Sequence, residues 1–256
     1  MDLQDKVAFI TGGASGLGKA TAENFIKAGG KVMVFDLNEE NAKKAAEELG
    51  SNAAYAAGDV ADEEAVKAAI GKAVDTFGAI HVDVNCAGIG AASRTLGREG
   101  PMPLKMFEFV LRVNLIGTFN TLRLCAEVMQ NNEPVTEDGE RGVIINVASV
   151  AAYDGQIGQA AYSASKGGIV GMTLPIARDL CKIGIRCATI APGIFETPMM
   201  AGAPPQVREP LIDMTQFPHR LGNPVEFAQT AAYIVNCGYI NGEVIRLDSG
   251  IRMQPK

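Results

Sequence analysis

The stretch "KVAFITGGASGLGKATAENFIKAGGKVMVFD", Lys6 to Asp36, decides the reading of this chain. It opens with an apolar, β-branched run, Lys6–Thr11, turns through "TGGASGLG" from Thr11 to Gly18, and continues as a helical pattern from Leu17 to Gly30. A second apolar run, Lys31–Asp36, follows at once. Strand, glycine-rich turn, helix and strand at this spacing are the opening unit of a parallel α/β sheet. Gly12, Gly16 and Gly18 fit G-x-x-x-G-x-G, a spacing found nowhere else in the chain. Glycines there let the backbone approach a pyrophosphate, and the helix start beyond them offers free N–H groups and partial positive charge.

The same rhythm runs outward. Helical patterns at 38–50 and 62–78 alternate with strands at 53–60, 80–88, 142–149, 184–193 and 243–250. This predicts a Rossmann-like doubly wound parallel sheet with helices on both faces, in one domain spanning 1–256. Residues 1–150 would mainly bind a dinucleotide, and 151–256 would carry the catalytic pair, a substrate loop and the last strand. Residues 94–103 and 131–142 read as loops. The Pro- and Met-rich stretch 194–224 reads as loops and short helices over the carboxyl edge of the sheet, where such folds bind ligands.

Bulk properties narrow the class. With 256 residues and 47% hydrophobic content the chain can bury a large core. A formal charge of −6 with no basic block argues against nucleic acid as a partner. Five cysteines form no CxxC pair, and His81 and His219 lie far apart, so no metal-ligand spacing exists. No apolar run reaches membrane-spanning length, and the N-terminus enters a strand pattern within a few residues. The expectation is a cytoplasmic protein with reduced thiols and neither a membrane nor a metal partner.

Two constellations carry chemistry. Asp36 closes the second strand about twenty residues after the glycines, where a carboxylate accepts hydrogen bonds from ribose hydroxyls and repels a 2′-phosphate; Leu37 beside it offers that phosphate no cation. NAD is therefore favoured over NADP, with Asp59 and Val60 after the third strand near the adenine or serving as a plain strand-end turn. In "AAYSASKGG" (160–168), Tyr162 and Lys166 stand one helical turn apart among small residues. A phenol of pKa ~10 is a poor base at neutral pH, and a nearby ammonium is expected to lower it.

With "TGGASGLG", "NCAG" (85–88), "VNLIG" (113–117), "NVAS" (146–149), "YSASK" (162–166) and "APG" (191–193) followed by Thr197 in order, the chain resembles the short-chain dehydrogenase/reductase family over essentially its whole length. The resemblance implies a catalytic set of Ser149, Tyr162, Lys166 and Asn114: Ser149 orients the substrate oxygen, Tyr162 is the acid/base, Lys166 also holds the nicotinamide ribose, and Asn114 completes a proton relay. It places Gly12, Ser15, Gly16, Leu17, Gly18, Asp36, Asp59, Val60, Asn85, Ala87, Gly88, Pro192, Gly193 and Thr197, with Tyr162 and Lys166, at the NAD.

Longer stretches, Arg141–Leu180, His219–Pro224 and Asn241–Pro255, resemble members of the family that oxidise short or branched 3-hydroxyacyl-CoA thioesters such as 2-methyl-3-hydroxybutyryl-CoA. Hydroxysteroid or other secondary-alcohol oxidation, and a non-catalytic NAD-binding or assembly subunit, are the competing readings. Ser149, Gln156, Gln159, Tyr162, Phe195 and Met199 are the candidate substrate contacts. Ile194 and Met200 would join Phe195 and Met199 in a greasy lid or simply fill space. Arg94 and Arg98 could meet CoA phosphates or sit in a solvated loop with Glu99. The resemblance further implies a homotetramer built on the helices containing Asn114 and Tyr162. Two positions depart from expectation: Asp83 interrupts the apolar fourth strand, and Glu196 puts a charge beside the substrate loop.

Overall fold

The computed structural model describes residues 1–201 and 204–255, apart from the side chains of Met199 and Val207. Its centre is a sheet of β1 (Val7–Thr11), β2 (Lys31–Asp36), β3 (Ala53–Ala57), β4 (Val82–Asn85), β5 (Gly142–Val147), β6 (Ile185–Pro192) and β7 (Val244–Leu247). Their order is 3-2-1-4-5-6-7, and every pairing is parallel. The order in which strands are added therefore reverses between β1 and β4. That reversal opens a crevice at the carboxyl ends of these two strands.

Both sheet faces are covered, because strand side chains alternate. Ala8, Ile10, Val32, Val34, Val143 and Ile145 pack on one face against Ala22 and Phe25 of α1 (Gly16–Lys27) and Phe227, Ala231 and Ile234 of α9 (Pro224–Asn236). Phe9, Met33, Phe35 and Ile144 point the other way, toward α3 (Glu63–Phe77) and α5 (Gly117–Met129). Near-continuous apolar strands are what such two-sided burial demands. Helix starts follow local chemistry: Asn38 caps α2 (Glu39–Leu49) by accepting from Asn41 N–H, and Asp62 caps α3 through Glu64 and Ala65 N–H.

Three segments refine the sequence reading. The 94–103 loop carries a two-residue hairpin, Leu96–Gly97 with Gly100–Pro101. The 194–224 stretch forms α7 (Pro198–Ala201) and α8 (Pro205–Asp213). Between α4 (Leu104–Leu111) and α5, residues Arg112–Ile116 widen into a π turn that carries Asn114. A widened turn shifts the direction of the following side chains, and it recurs at functional sites. The longest helix, α6 (Ala160–Leu180), holds Tyr162 and Lys166. No helix among the described residues is long and apolar enough to cross a membrane.

Asp83 sits in the middle of β4 with no exposure. Its Oδ2 accepts from Asn85 Nδ2 at 2.6 Å and Oδ1 has no hydrogen-bond partner. Burial pushes its carboxyl up to about 7, against hydrogen bonds from Asn85 and Cys125 that favour the anion. In the unfolded chain the group ionises near ~3.9. Between these values the unfolded state releases a proton that the folded state keeps, so this group lowers stability as pH rises from ~4 to ~7. The cost above that window is on the order of 4 kcal/mol. Half-buried His81 slopes oppositely: partial burial holds its pKa down to about 4, so its contribution is lost as pH falls below ~6.5. Asp83→Asn is expected to raise the melting temperature by several degrees at pH 8 and to change it little at pH 4.5, measured by thermal unfolding. Equal shifts at both pH values would remove the buried charge as the cause.

Candidate active site

A cleft of about 530 Å³ follows the carboxyl ends of β1, β2, β4 and β5, from Asp36 and Leu37 at one end to Ser149 and Tyr162 at the other. Its first wall is the glycine turn. Gly12 and Gly16 have φ of +62° and +52°, the left-handed region where a side chain is strained. A Cβ on Gly18 would collide with the carbonyl oxygen of Gly12, and one on Gly12 would come 2.9 Å from Ala87 N. Thr11 Oγ1 accepts from Ala87 N–H at 3.1 Å and ties the ends of β1 and β4 together. The turn thus presents bare backbone at the start of α1, the arrangement that receives a phosphate.

Asp36 braces the same turn: Oδ2 accepts from Ala14 N–H at 3.2 Å and Oδ1 from Asn38 N–H at 3.3 Å. Asp59 is held by Ala61 N–H at 2.8 Å and by Arg112 at 2.8 Å, so its carboxylate is anchored at the cleft edge. Ser15, Gly16, Leu17, Val60, Ala87, Gly88, Pro192, Gly193 and Thr197 line the cleft with these two. The glycine cradle and an acidic group at the ribose position fit a nicotinamide dinucleotide.

At the far end, Ser149 is buried, with Oγ accepting from Ala151 N–H at 3.1 Å across the short turn that follows β5. Tyr162 projects from the first turn of α6 into the cleft, and Lys166 lies one turn deeper, 5% exposed. Lys166 Nζ donates to Val147 O at 2.8 Å and stands 5.9 Å from the Tyr162 ring centroid. Burial brings the Lys166 pKa down to about 8. The expected lowering of the Tyr162 pKa by this lysine is not what the protein alone shows. Burial raises the phenol above its ordinary value, with the contact to Ser149 as the opposing influence. Both groups are pushed toward neutrality by the same removal from water.

Asn114 has no exposure, and its side chain is fully used: Oδ1 accepts from Ile89 N–H at 2.8 Å, while Nδ2 donates to Ile89 O at 3.0 Å and Ser165 Oγ at 3.1 Å. Its amide pins the segment after β4 to α6. A Cβ on Gly88 would lie 3.2 Å from Asn114 Oδ1 and 3.6 Å from Lys166 Nζ, so both converge on this bare backbone.

Several expected contacts lie elsewhere. Asn85 does not line the cleft; it is 2% exposed in the sheet and donates to Asp83 and Asn146 Oδ1. Gln156 also turns away, with Nε2 on Gln254 O at 3.0 Å, whereas Gln159 does line the cleft. Phe195 lines it too, but its ring packs edge-on against Phe227 and over Gly222, which gives it core duty. Glu196 is paired with both terminal nitrogens of Arg208 on α8. Arg94 and Arg98 are exposed and outside the cleft lining, and the Met199 side chain lies outside the described residues. No group of three His, Cys, Asp or Glu among the described residues could hold a metal. Sequence reasoning missed Cys86, Phe109 and Met253, which also line the cleft. Cys86 was legible as the neighbour of Asn85; the other two come from segments without a site motif.

Comparison with known proteins gives a consistent result. A family model described as short chain dehydrogenase matches residues 6–208. The chain is 54% identical to the 3-hydroxyacyl-CoA dehydrogenase type-2 of Bos taurus, covering 97% of this chain and 96% of that protein. It is 49% identical to the protein of that name from Drosophila melanogaster, covering 99% and 100%. The crystal structure of 3-hydroxyacyl-CoA dehydrogenase type-2 from Mycobacterium avium matches with a TM-score of 0.94 at 42% identity, covering 98% of this chain and 97% of that one.

The opposed influences on Tyr162 can be read directly. Tyrosinate absorbance of the protein without dinucleotide, minus that of Tyr162→Phe, is expected to place this phenol's ionisation above pH ~10. A midpoint below that value would mean that Lys166 outweighs burial.

Proposed function

Because the chain belongs to the short-chain dehydrogenase family, we propose that it interconverts 3-hydroxyacyl-CoA and 3-ketoacyl-CoA thioesters with NAD(H), acting on short or branched chains. It is an oxidoreductase acting on CH–OH groups of a small molecule. The single observation that carries the reading is one continuous cleft, with the glycine cradle and Asp36 at one end and Ser149, Tyr162 and Lys166 at the other. The similarity to 3-hydroxyacyl-CoA dehydrogenases over nearly the whole chain supports the substrate class.

The roles follow from placement. When bound, the dinucleotide supplies or accepts the hydride at the substrate carbon. Ser149 Oγ holds the substrate oxygen, and the Tyr162 hydroxyl gives a proton to that oxygen in reduction or takes one in oxidation. Lys166 holds its ammonium 5.9 Å from the Tyr162 ring centroid, while the contact that offsets burial of the phenol is the one to Ser149. Asn114 orients the Ile89 segment that backs this centre. Asp36 favours NAD because its carboxylate, already accepting two backbone N–H groups, would meet a 2′-phosphate with like charge.

Chain 1–256 would act as one domain. Exposed apolar side chains on α4, α5, α6 and the π turn, Phe109, Ile116, Phe119 and Leu174, support assembly into a homotetramer through these helices. Five free cysteines fit a reducing compartment such as the cytoplasm.

Reduction of acetoacetyl-CoA is expected with NADH and at least tenfold less with NADPH, followed by loss of absorbance at the nicotinamide wavelength. Equal use of NADPH would overturn the assignment of Asp36, and turnover of ketones without thioester turnover would overturn the substrate class. Tyr162→Phe is expected to lower kcat by ~10²–10⁴ with little change in NADH affinity, since the loss removes proton transfer rather than binding.

A further inference from the structure

The C-terminal tail is fastened to the body of the protein at three points. Arg246 of β7 donates to Ile251 O at 3.2 Å, Ile157 N–H donates to Pro255 O at 3.0 Å, and Gln156 Nε2 donates to Gln254 O at 3.0 Å. The segment Tyr153–Gln159, which connects Ser149 to Tyr162, thereby becomes one bank of a clamp. Arg246 reinforces it from the other side, pairing with Asp154 at 2.8 Å and lying 5.0 Å from the Tyr153 ring centroid. Ile251 is fully buried at the root of the tail.

Between the buried root and the two bonds at 254 and 255 stands Met253, half-buried, with its side chain in the wall of the cleft that also contains Gln159 and Tyr162. Its neighbours in sequence, Arg252 and Gln254, are exposed. One apolar side chain is thus turned inward from a tail whose backbone is pinned on both sides of it. A pinned backbone with an unbranched, adaptable side chain makes a wall of fixed position and adjustable depth.

We propose that Met253 is a specificity-determining residue that sets the length and branching of the acyl group accepted at the Ser149–Tyr162 end. This rests on the thioester reading above. Shortening the side chain would deepen the acyl end of the cleft, and enlarging it would close that end, while the cradle and Asp36 at the far end would be untouched.

The test is the ratio of kcat/KM for 3-oxooctanoyl-CoA to that for acetoacetyl-CoA, measured with NADH for the full chain and for Met253→Ala and Met253→Trp. Met253→Ala is expected to raise the ratio at least fivefold and Met253→Trp to lower it by a similar factor, with NADH affinity and melting temperature close to wild type. Unchanged ratios in both variants would overturn the proposal, as would parallel losses for both substrates with a lowered melting temperature, the mark of a merely structural tail. Gln156→Ala, which frees the tail at one point, is expected to raise KM for the longer thioester without changing kcat for the shorter. Turnover of ketones but not thioesters would defeat the thioester reading alone, and the same ratio between long and short methyl ketones would then decide the role of Met253.

Discussion

The constraint on which the site depends is an ammonium group held out of water at the carboxyl end of the sheet. Lys166 is 5% exposed and donates to a backbone carbonyl rather than to a carboxylate. A buried cation without an anion is costly, and here the cost shows as a pKa brought down to about 8. Tyr162 sits under the same pressure from the other direction, its phenol kept neutral by burial. The protein alone therefore holds a poised pair, each member displaced toward its uncharged form. Any added interaction that favours the phenolate also relieves the lysine, so proton movement at Tyr162 is coupled to what occupies the cleft.

Small residues make this arrangement possible. Gly88 lets Asn114 and Lys166 approach the segment after β4, Gly168 admits Leu115 against α6, and Gly117 admits Val60 against α5. Each close approach draws the π turn, α6 and the ends of β3 and β4 toward one point. Asn114 accepts from the Ile89 N–H and donates to the Ile89 carbonyl and to Ser165 Oγ, so the π turn is fastened both to the segment after β4 and to α6. Rigidity at this end comes from satisfied polar groups as much as from apolar packing.

The sequence made the opening βαβ unit legible because apolar period, glycine spacing and a terminal acid agree there on one geometry. Asp36 and the glycine turn could be placed in advance for that reason, and the structure adds only that Asp36 braces the turn by hydrogen bonding to Ala14. Asn85 and Gln156 illustrate the opposite case. Each is a polar residue flanking a site motif, yet the facing of a side chain at a strand end or in a loop depends on partners distant in sequence. For Asn85 the distant partner is Asn146 on β5, beside the nearby Asp83; for Gln156 it is Gln254 in the tail. Met253 was hidden for the same reason: no local pattern announces that a chain terminus returns to a loop almost a hundred residues earlier. The direction of the Tyr162 shift was also out of reach, since helical spacing gives the proximity of Lys166 but not the depth of burial that opposes it.

The two ends of the cleft are consequently built by different means. The dinucleotide end is formed by backbone at strand termini, where a single added methyl group on Gly12 or Gly18 would strike neighbouring main chain. Sheet pairing on both sides of β1 fixes that surface, to which Asp36 at the end of β2 adds a carboxylate. The opposite end is lined by residues of α4, of the segment before α6, of the 194–201 stretch and of the tail, none of them borne on a strand. Such elements exchange side chains without disturbing the sheet. A fold divided in this way can keep one redox partner and one proton-transfer centre while the shape of the accepted alcohol changes. The place to look for substrate preference in this chain is therefore the loop-borne wall, whereas the strand-borne floor answers for the cofactor.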